Sequence, residues 1–209
     1  VWMGESNSAG AIYSYHATGL CAGQLQSVVS EAGSTSYNNC DALGRLLSQT
    51  QLIVGGGSFD FNYTYWLTGA LKTMQYPSGR VVNFDVDDAA RAAKVYTQDR
   101  VYADLTSATA PYTADGRITK LKLGNNLWET SDYQTPGIPT ILKLGTSEGS
   151  ADTLELQYNY AATSNNGNLL SHVIRRGTSS WAQTYEYDGL NRLVWASEAA
   201  GRTPSAFCG

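Results

Sequence analysis

The run Tyr185-Glu-Tyr187-Asp188-Gly189-Leu190-Asn191-Arg192-Leu193 constrains this chain more than any other stretch, because weaker copies of it recur along most of the length. Tyr185 and Tyr187 stand two apart, so both point to one side of a pleated strand. Asp188 opens a turn in which its carboxylate accepts from a backbone N–H further along. Asn191 falls where a left-handed residue is wanted, a place in which Asn ranks after Gly. Arg192-Leu193-Val194-Trp195 then begins a second strand. A single such hairpin is marginal in water, so recurrence decides the fold.

Aligned on the position of Asn191, the turn residues are Gly23, Gly44, Gly69, Ala90, Gly116, Gly137, Gly167 and Asn191, spaced by 21 to 30 residues. Asp41 and Asp188 open two of these turns, with His16 and Trp66 in the equivalent place in two others. Ala90 is the weak member: Ala is strained at positive φ, so that turn is expected to change type. A second glycine closes most units, at Gly33, Gly55, Gly79, Gly124, Gly145, Gly177 and Gly201. Between turns, Thr119–Leu123 and Leu154–Tyr160 alternate as half-buried strands do. Pro136 and Pro139 belong to a turn or an edge and not to a central strand. The alanines of 87–96 leave a short helical turn open there.

The fold class this implies is all-β: repeated antiparallel hairpins forming a continuous twisted or spiralling sheet strip. About eight hairpin units span 11–201, followed by a tail at 202–209. No linker divides them, so 1–209 reads as one domain. Composition agrees: 21 Gly and 14 Tyr favour short strands and tight turns. A net charge of −4 without a basic stripe excludes a nucleic-acid groove. No apolar run reaches the about 18 residues of a membrane helix, so no membrane span is expected.

Three cysteines, Cys21, Cys40 and Cys208, occur without a C-x-x-C and with two His, which argues against structural zinc. Two readings stay open: free or buried thiols, or a Cys21–Cys40 bridge between neighbouring hairpins, with Cys208 available for an intermolecular bond. Asp85, Asp87 and Asp88 form the densest acidic group, but the Gly of a calcium loop is missing, and a degraded repeat turn accounts for them better. His16 and His172 have no nucleophile motif beside them. Gly55-Gly56-Gly57 lacks the Lys-Ser/Thr of a phosphate loop. No residue nominates catalysis, so catalytic, metal and cofactor sites are all expected to be none. Asn62-Tyr63-Thr64 fits the glycosylation pattern, which matters only in a eukaryotic secretory setting. Trp2, Trp66, Trp128, Trp181 and Trp195 could stack on sugars, although packing between hairpins is the preferred role for the aromatic residues.

Asp41-Ala-Leu43-Gly44-Arg45-Leu46 and Tyr185–Leu193 resemble the Tyr-x-Tyr-Asp-x-x-Gly-Arg-Leu consensus of the RHS, or YD, repeat. Gly116-Arg117-Ile118 to Gly124-Asn125-Asn126, followed by Tyr133, is similar to a run common inside RHS proteins. The resemblance covers roughly 11–201. It implies a β-strip of the kind that, in bacterial RHS toxins, in C components of insecticidal toxin complexes and in wall-associated and teneurin-like proteins, winds into a hollow shell. The Asp-Pro self-cleavage motif of the family is missing, and nothing after 201 resembles a toxin, so those activities are not carried over.

The expected function is therefore a non-enzymatic structural segment of a secreted or cell-surface bacterial RHS-type protein, part of a shell or scaffold. One alternative is a self-assembling subunit of an extracellular filament or tube, formed by end-to-end strand addition. Another is a carbohydrate-binding surface module. Partners would be further RHS repeats or identical copies through edge strands, with glycans in the third case. The residues expected to carry the architecture are Gly23, Asp41, Gly44, Gly69, Gly116, Gly137, Gly167, Asp188 and Asn191.

Overall fold

In a computed structural model, residues 10–134 and 137–198 are described. Among them there are sixteen strands and no helix, as the all-β class requires. The chain divides into two compact units, Val1–Val101 and Tyr102–Gly209.

The first unit carries β1 (Ile12–Tyr15), β2 (Leu25–Ser30), β3 (Gly33–Cys40), β4 (Leu46–Ile53), β5 (Gly57–Tyr65), β6 (Leu71–Gln75), β7 (Val81–Val86) and β8 (Ala92–Tyr96). Each strand pairs antiparallel with the next in the chain. The second unit carries β10 (Lys120–Leu123), β11 (Trp128–Gln134), β12 (Ile138–Gly145), β13 (Leu154–Tyr160), β14 (Leu169–Arg176), β15 (Ser179–Tyr187) and β16 (Leu193–Glu198), paired in the same way. The remaining strand, β9 (Val101–Asp104), starts at the boundary and pairs with β10 through Ala103 and Asp104.

Within each unit the strands form one open layer. No described side chain is completely buried, and the most enclosed apolar residues are Cys21, Cys40, Val82, Ala93 and Leu105. Cross-strand pairs must therefore supply much of the stability. In β5, Phe59, Phe61, Tyr63 and Tyr65 are half-buried, while Ser58, Asp60, Asn62 and Thr64 between them are exposed. The exposed side is tied by hydroxyls and amides: Thr64 to Thr73 at 2.6 Å, Asn62 to Gln75 at 3.2 Å and Thr50 to Asp60 at 2.6 Å.

A β-bulge recurs in register with the repeat. The ladder shifts immediately before Tyr15, Cys40, Tyr65, Val86, Tyr133, Tyr160 and Tyr187, each the last strand residue before a turn or loop or one residue short of it. The return strand contributes an extra residue each time, as between Leu71 and Thr73 or between Leu193 and Trp195.

Three expectations need revising. The segment from Ala92 to Tyr96 is strand β8 and not a helical turn, because its backbone pairs with β7. Pro139 lies inside β12, an interior strand of its unit. It is tolerated near the end of that strand, where the β13 ladder has already stopped at Ile141 and only Tyr133 of β11 stands opposite. The fifth repeat is not a full hairpin: a single bridge, Tyr112 to Ile118, flanks its turn. Pro136 and Gly201 lie outside the described residues.

Candidate functional site

The feature that repeats is the hairpin turn and its connection to the next unit. At Asp41, Trp66, Tyr76, Asp87, Thr113, Leu123 and Asp188 the opening residue donates its N–H to the carbonyl four residues on. Its own carbonyl accepts from the N–H three residues on. This is a type I turn closed by a left-handed residue, a frequent form of the three-residue hairpin loop. The left-handed places are filled by Gly44 (φ 76°), Gly69 (93°), Gly79 (81°), Ala90 (62°), Gly116 (87°), Asn126 (67°) and Asn191 (61°).

Ala90 therefore keeps the common turn, contrary to the change of type expected from its side chain. The reason is visible at Asp87. Its Oδ1 accepts from Ala89 N at 3.0 Å and Arg91 N at 2.9 Å, and its Oδ2 accepts from Arg91 Nε at 2.8 Å. These bonds, absent at the glycine turn opened by Trp66, offset the strain of an alanine at positive φ. Likewise Asn126, and not Gly124, takes the left-handed place in its turn. Gly145 ends β12 in ordinary backbone, where a Cβ would run into Ser150 and Asp152.

Asp41 and Asp188 hold their turns in the same way. Asp41 Oδ1 accepts from Leu43 N and Arg45 N, both at 2.9 Å, and Oδ2 from Arg45 Nε at 2.6 Å. Asp188 accepts from Leu190 N at 2.9 Å, Arg192 N at 3.0 Å and Arg192 Nε at 2.7 Å. All three carboxyls titrate below their ordinary range. At Asp41 partial desolvation pushes upward, but the N–H groups of Arg45 and Leu43 and the Arg45 guanidinium outweigh it. At Asp87 the Arg91 guanidinium leads, and at Asp188 the Arg192 N–H leads. Thr113 makes a shorter version, its Oγ1 accepting from Arg117 N at 2.9 Å.

Consecutive turns are tied sideways. Arg45 Nη1 donates to the Trp66 carbonyl at 2.9 Å, and Trp66 Nε1 donates to the Phe84 carbonyl at 2.8 Å. His16 Nε2 reaches the Tyr37 carbonyl at 2.8 Å, and Gln24 Nε2 the Gly44 carbonyl at 2.7 Å. In the second unit Asn166 and Asn168 both donate to Asn191 Oδ1, at 2.7 and 3.0 Å.

One junction occurs in both units. The Arg45 guanidinium lies 4.9 Å from the Tyr65 ring centre, and Tyr65 Oη donates to the Leu46 carbonyl at 2.7 Å. Arg117 lies 5.4 Å from the Tyr133 ring centre, and Tyr133 Oη donates to the Ile118 carbonyl at 3.0 Å. Thus the second Tyr of one copy rests on the Arg of the copy before and bonds the residue after that Arg. Register agrees: the β4–β5 ladder, extended, sets Tyr65 opposite Arg45, and the β10–β11 ladder sets Tyr133 opposite Arg117.

The remaining sequence-derived residues are placed as follows. Gly23, Gly137 and Gly167 have φ of 80°, 104° and 88°. Cys21 and Cys40 are joined, with Cα atoms 5.3 Å apart, a separation ordinary for a disulfide. Cys208 lies outside the described residues. Among the described residues, several aromatic rings are faced by cations. Lys72 covers Trp66 at 4.6 Å and Lys122 covers Trp128 at 5.9 Å, whereas Phe61 and Tyr76 meet edge to face at 5.9 Å. Sequence reasoning gave Arg45, Arg91 and Arg192 no role of their own, although an Asp followed four residues later by Arg was there to be read. No group of His, Cys, Asp and Glu suited to a metal occurs among the described residues.

No protein-family model matches the chain, and no curated protein matches it. Solved structures do. A chain of TcdB2-TccC3 without its hypervariable C-terminal region superposes with a TM-score of 0.72 at 19% identity, over 92% of this chain and 11% of that one. The TcdB2-TccC3-Cdc42 complex gives 0.70 at 19% identity over the same shares. A Photorhabdus luminescens Tc holotoxin pore gives 0.68 at 21% identity, over 92% and 10%. The chain thus spans about a tenth of the length of the chains whose fold it shares.

Proposed function

We propose that this chain is a non-enzymatic structural β-repeat segment of an extracellular bacterial RHS-type protein, forming part of a shell or scaffold. The observation that carries the reading is the Arg-on-Tyr junction, made at Arg45–Tyr65 and again at Arg117–Tyr133. It accounts for the Tyr and the Arg of the repeat by their role in docking one hairpin on the next. The Asp41 carboxylate beside the first of these junctions is occupied by hydrogen bonds within its own turn. Likeness of fold to segments of Tc toxin chains supports a part in a larger protein assembly. The Cys21–Cys40 bridge supports an oxidising, extracellular setting.

A second reading, end-to-end strand addition between copies, is favoured by the first and last described strands. β1 is paired through β2 and β16 through β15, and Ile12, Tyr13, Tyr15, Leu193, Val194 and Trp195 on them are exposed. Electron microscopy of the purified chain separates the two. Filaments or rings support strand addition; uniform small particles that extend into a longer sheet only when further repeats are fused support the segment reading.

A further inference from the structure

From the geometry of the internal junction we infer that β16 of one chain is a docking edge for β1 of a second copy, with Tyr15 of the second copy seated on Arg192 of the first. This rests on the strand-addition reading above and specifies its contact and register.

The receiving half of the junction is an Arg that closes a turn, followed by a residue whose carbonyl accepts a tyrosine hydroxyl. Arg45-Leu46 and Arg117-Ile118 are such halves, and each is occupied. Arg192-Leu193 is the same element after the turn opened by Asp188, and it lies beside the outermost strand of its unit. Its guanidinium holds Asp188 as Arg45 holds Asp41, but the Arg192 side chain is 73% exposed where that of Arg45 is 24% exposed. No ring of a following hairpin covers it among the described residues.

The inserting half is a Tyr at the end of a strand, directly before the turn-opening residue. Tyr65 precedes Trp66, and Tyr133, after the same kind of bulge, precedes the turn-opening Gln134. Tyr15 precedes His16 and ends β1 after an equivalent bulge. It is 59% exposed, on a strand paired through β2. The two halves are therefore on the first and the last described strands, so a contact between them joins one copy to the next head to tail.

The register follows from the occupied junctions. Extending the β4–β5 and β10–β11 ladders puts Tyr opposite Arg in both. The extended β6–β7 ladder likewise sets Val86 opposite Ala70, the residue closing the turn of Trp66. Carried to the open edges, this register sets Tyr15 opposite Arg192, Ser14 opposite Leu193, Tyr13 opposite Val194 and Ile12 opposite Trp195. Every apolar residue in that pairing is among the exposed large hydrophobics. Their burial and the new ladder bonds add to the Tyr–Arg contact. A heterologous contact of this kind grows a ring or a filament according to whether its rotation closes.

The test uses the full 209-residue chain with Cys208→Ser, so that the tail thiol plays no part. Sedimentation over a concentration series reads association. Disulfide trapping reads register in mixtures of an Ile12→Cys chain with a Trp195→Cys chain. The expected result is concentration-dependent oligomers, efficient trapping of that pair, and a midpoint raised about fivefold by Tyr15→Phe. Circular dichroism confirms that each variant is folded, and Arg192→Gln tests the same contact from the opposite edge. Oligomers that ignore both variants and trap in another register overturn this contact while leaving strand addition standing. A chain that stays monomeric throughout the series overturns both.

Discussion

Tyr65 lies across two repeats at once: its ring sits 4.9 Å from the Arg45 guanidinium, and its hydroxyl donates to the carbonyl of Leu46 at 2.7 Å. Burial pushes the Tyr65 phenol above its ordinary value, with the Asp41 charge adding to the effect, so at neutral pH it is a donor. Tyr65→Phe keeps the ring and removes the hydrogen bond. It should lower stability by about 1 kcal/mol, read from urea unfolding. Arg45→Lys, which lacks the planar fork, should cost a similar amount by loosening the Asp41 and Trp66 contacts. A double variant whose loss equals the sum of the two singles would show the Arg and Tyr to be uncoupled.

Acid should unfold the chain through its turns. Asp41, Asp87 and Asp188 have carboxyls held below the ordinary value of 3.8. A carboxyl lowered in the folded state stabilises fully above the unfolded value and loses that contribution as pH falls through the folded one. The thermal midpoint should stay level down to about pH 5 and then decline. Replacing all three with Asn should lower it at neutral pH and flatten the acid limb. An unchanged acid limb would mean that other carboxyls govern the decline.

Ala90→Gly removes a side chain from a residue at φ 62°. Relief of that strain exceeds the entropy gained by the unfolded chain, and stability should rise by about 0.5–1 kcal/mol. The converse change, Gly44→Ala, adds a Cβ 2.8 Å from Gln24 Nε2 at φ 76°. It should destabilise and also loosen the bond from Gln24 to the Gly44 carbonyl. Thermal melts of the two variants should move in opposite directions.

Reduction of Cys21–Cys40 opens a cross-link that spans 19 residues. Loss of such a constraint costs about 3 kcal/mol, measured as a shift of the urea midpoint with and without reductant. Hydrogen exchange should quicken first in β1 to β3, which the bridge joins.

Glu148 holds two loops of the second unit together. It accepts from Lys120 Nζ at 2.7 Å and from Thr109 N at 3.3 Å. Glu148→Gln should leave the sheet intact and speed amide exchange at Thr109 and its neighbours. Protection that persists there would assign the order of that loop to the Asp104 side chain, which accepts from Thr106 N and Ser107 N.

The repeat was legible in the sequence because turn chemistry is local. Gly, Asn and Asp report the backbone they permit, so Gly44, Gly116, Asp188 and Asn191 could be placed from their neighbours alone. Ala90 was misread for the complementary reason. Whether a left-handed alanine is tolerated depends on the Asp87 carboxylate, and whether Gly124 or Asn126 takes the left-handed place depends on where the ladder ends. The Arg–Tyr junction links residues about twenty apart, such as Arg45 and Tyr65, through a register that the bulges set. No local pattern states that register. Cys21 and Cys40 illustrate the same gap, because their approach follows from the long first loop and not from their spacing.

In the first unit the acceptors of the sideways ties are backbone carbonyls, those of Tyr37, Gly44, Leu46, Trp66 and Phe84. Every residue type supplies a carbonyl, so the hydrogen-bond acceptor in each of these contacts is blind to sequence. A copy can exchange Asp for Trp or lengthen its loop and still offer its neighbour the same carbonyls. Divergence among copies then costs little, and a unit gained or lost by duplication would meet a surface already able to hold it.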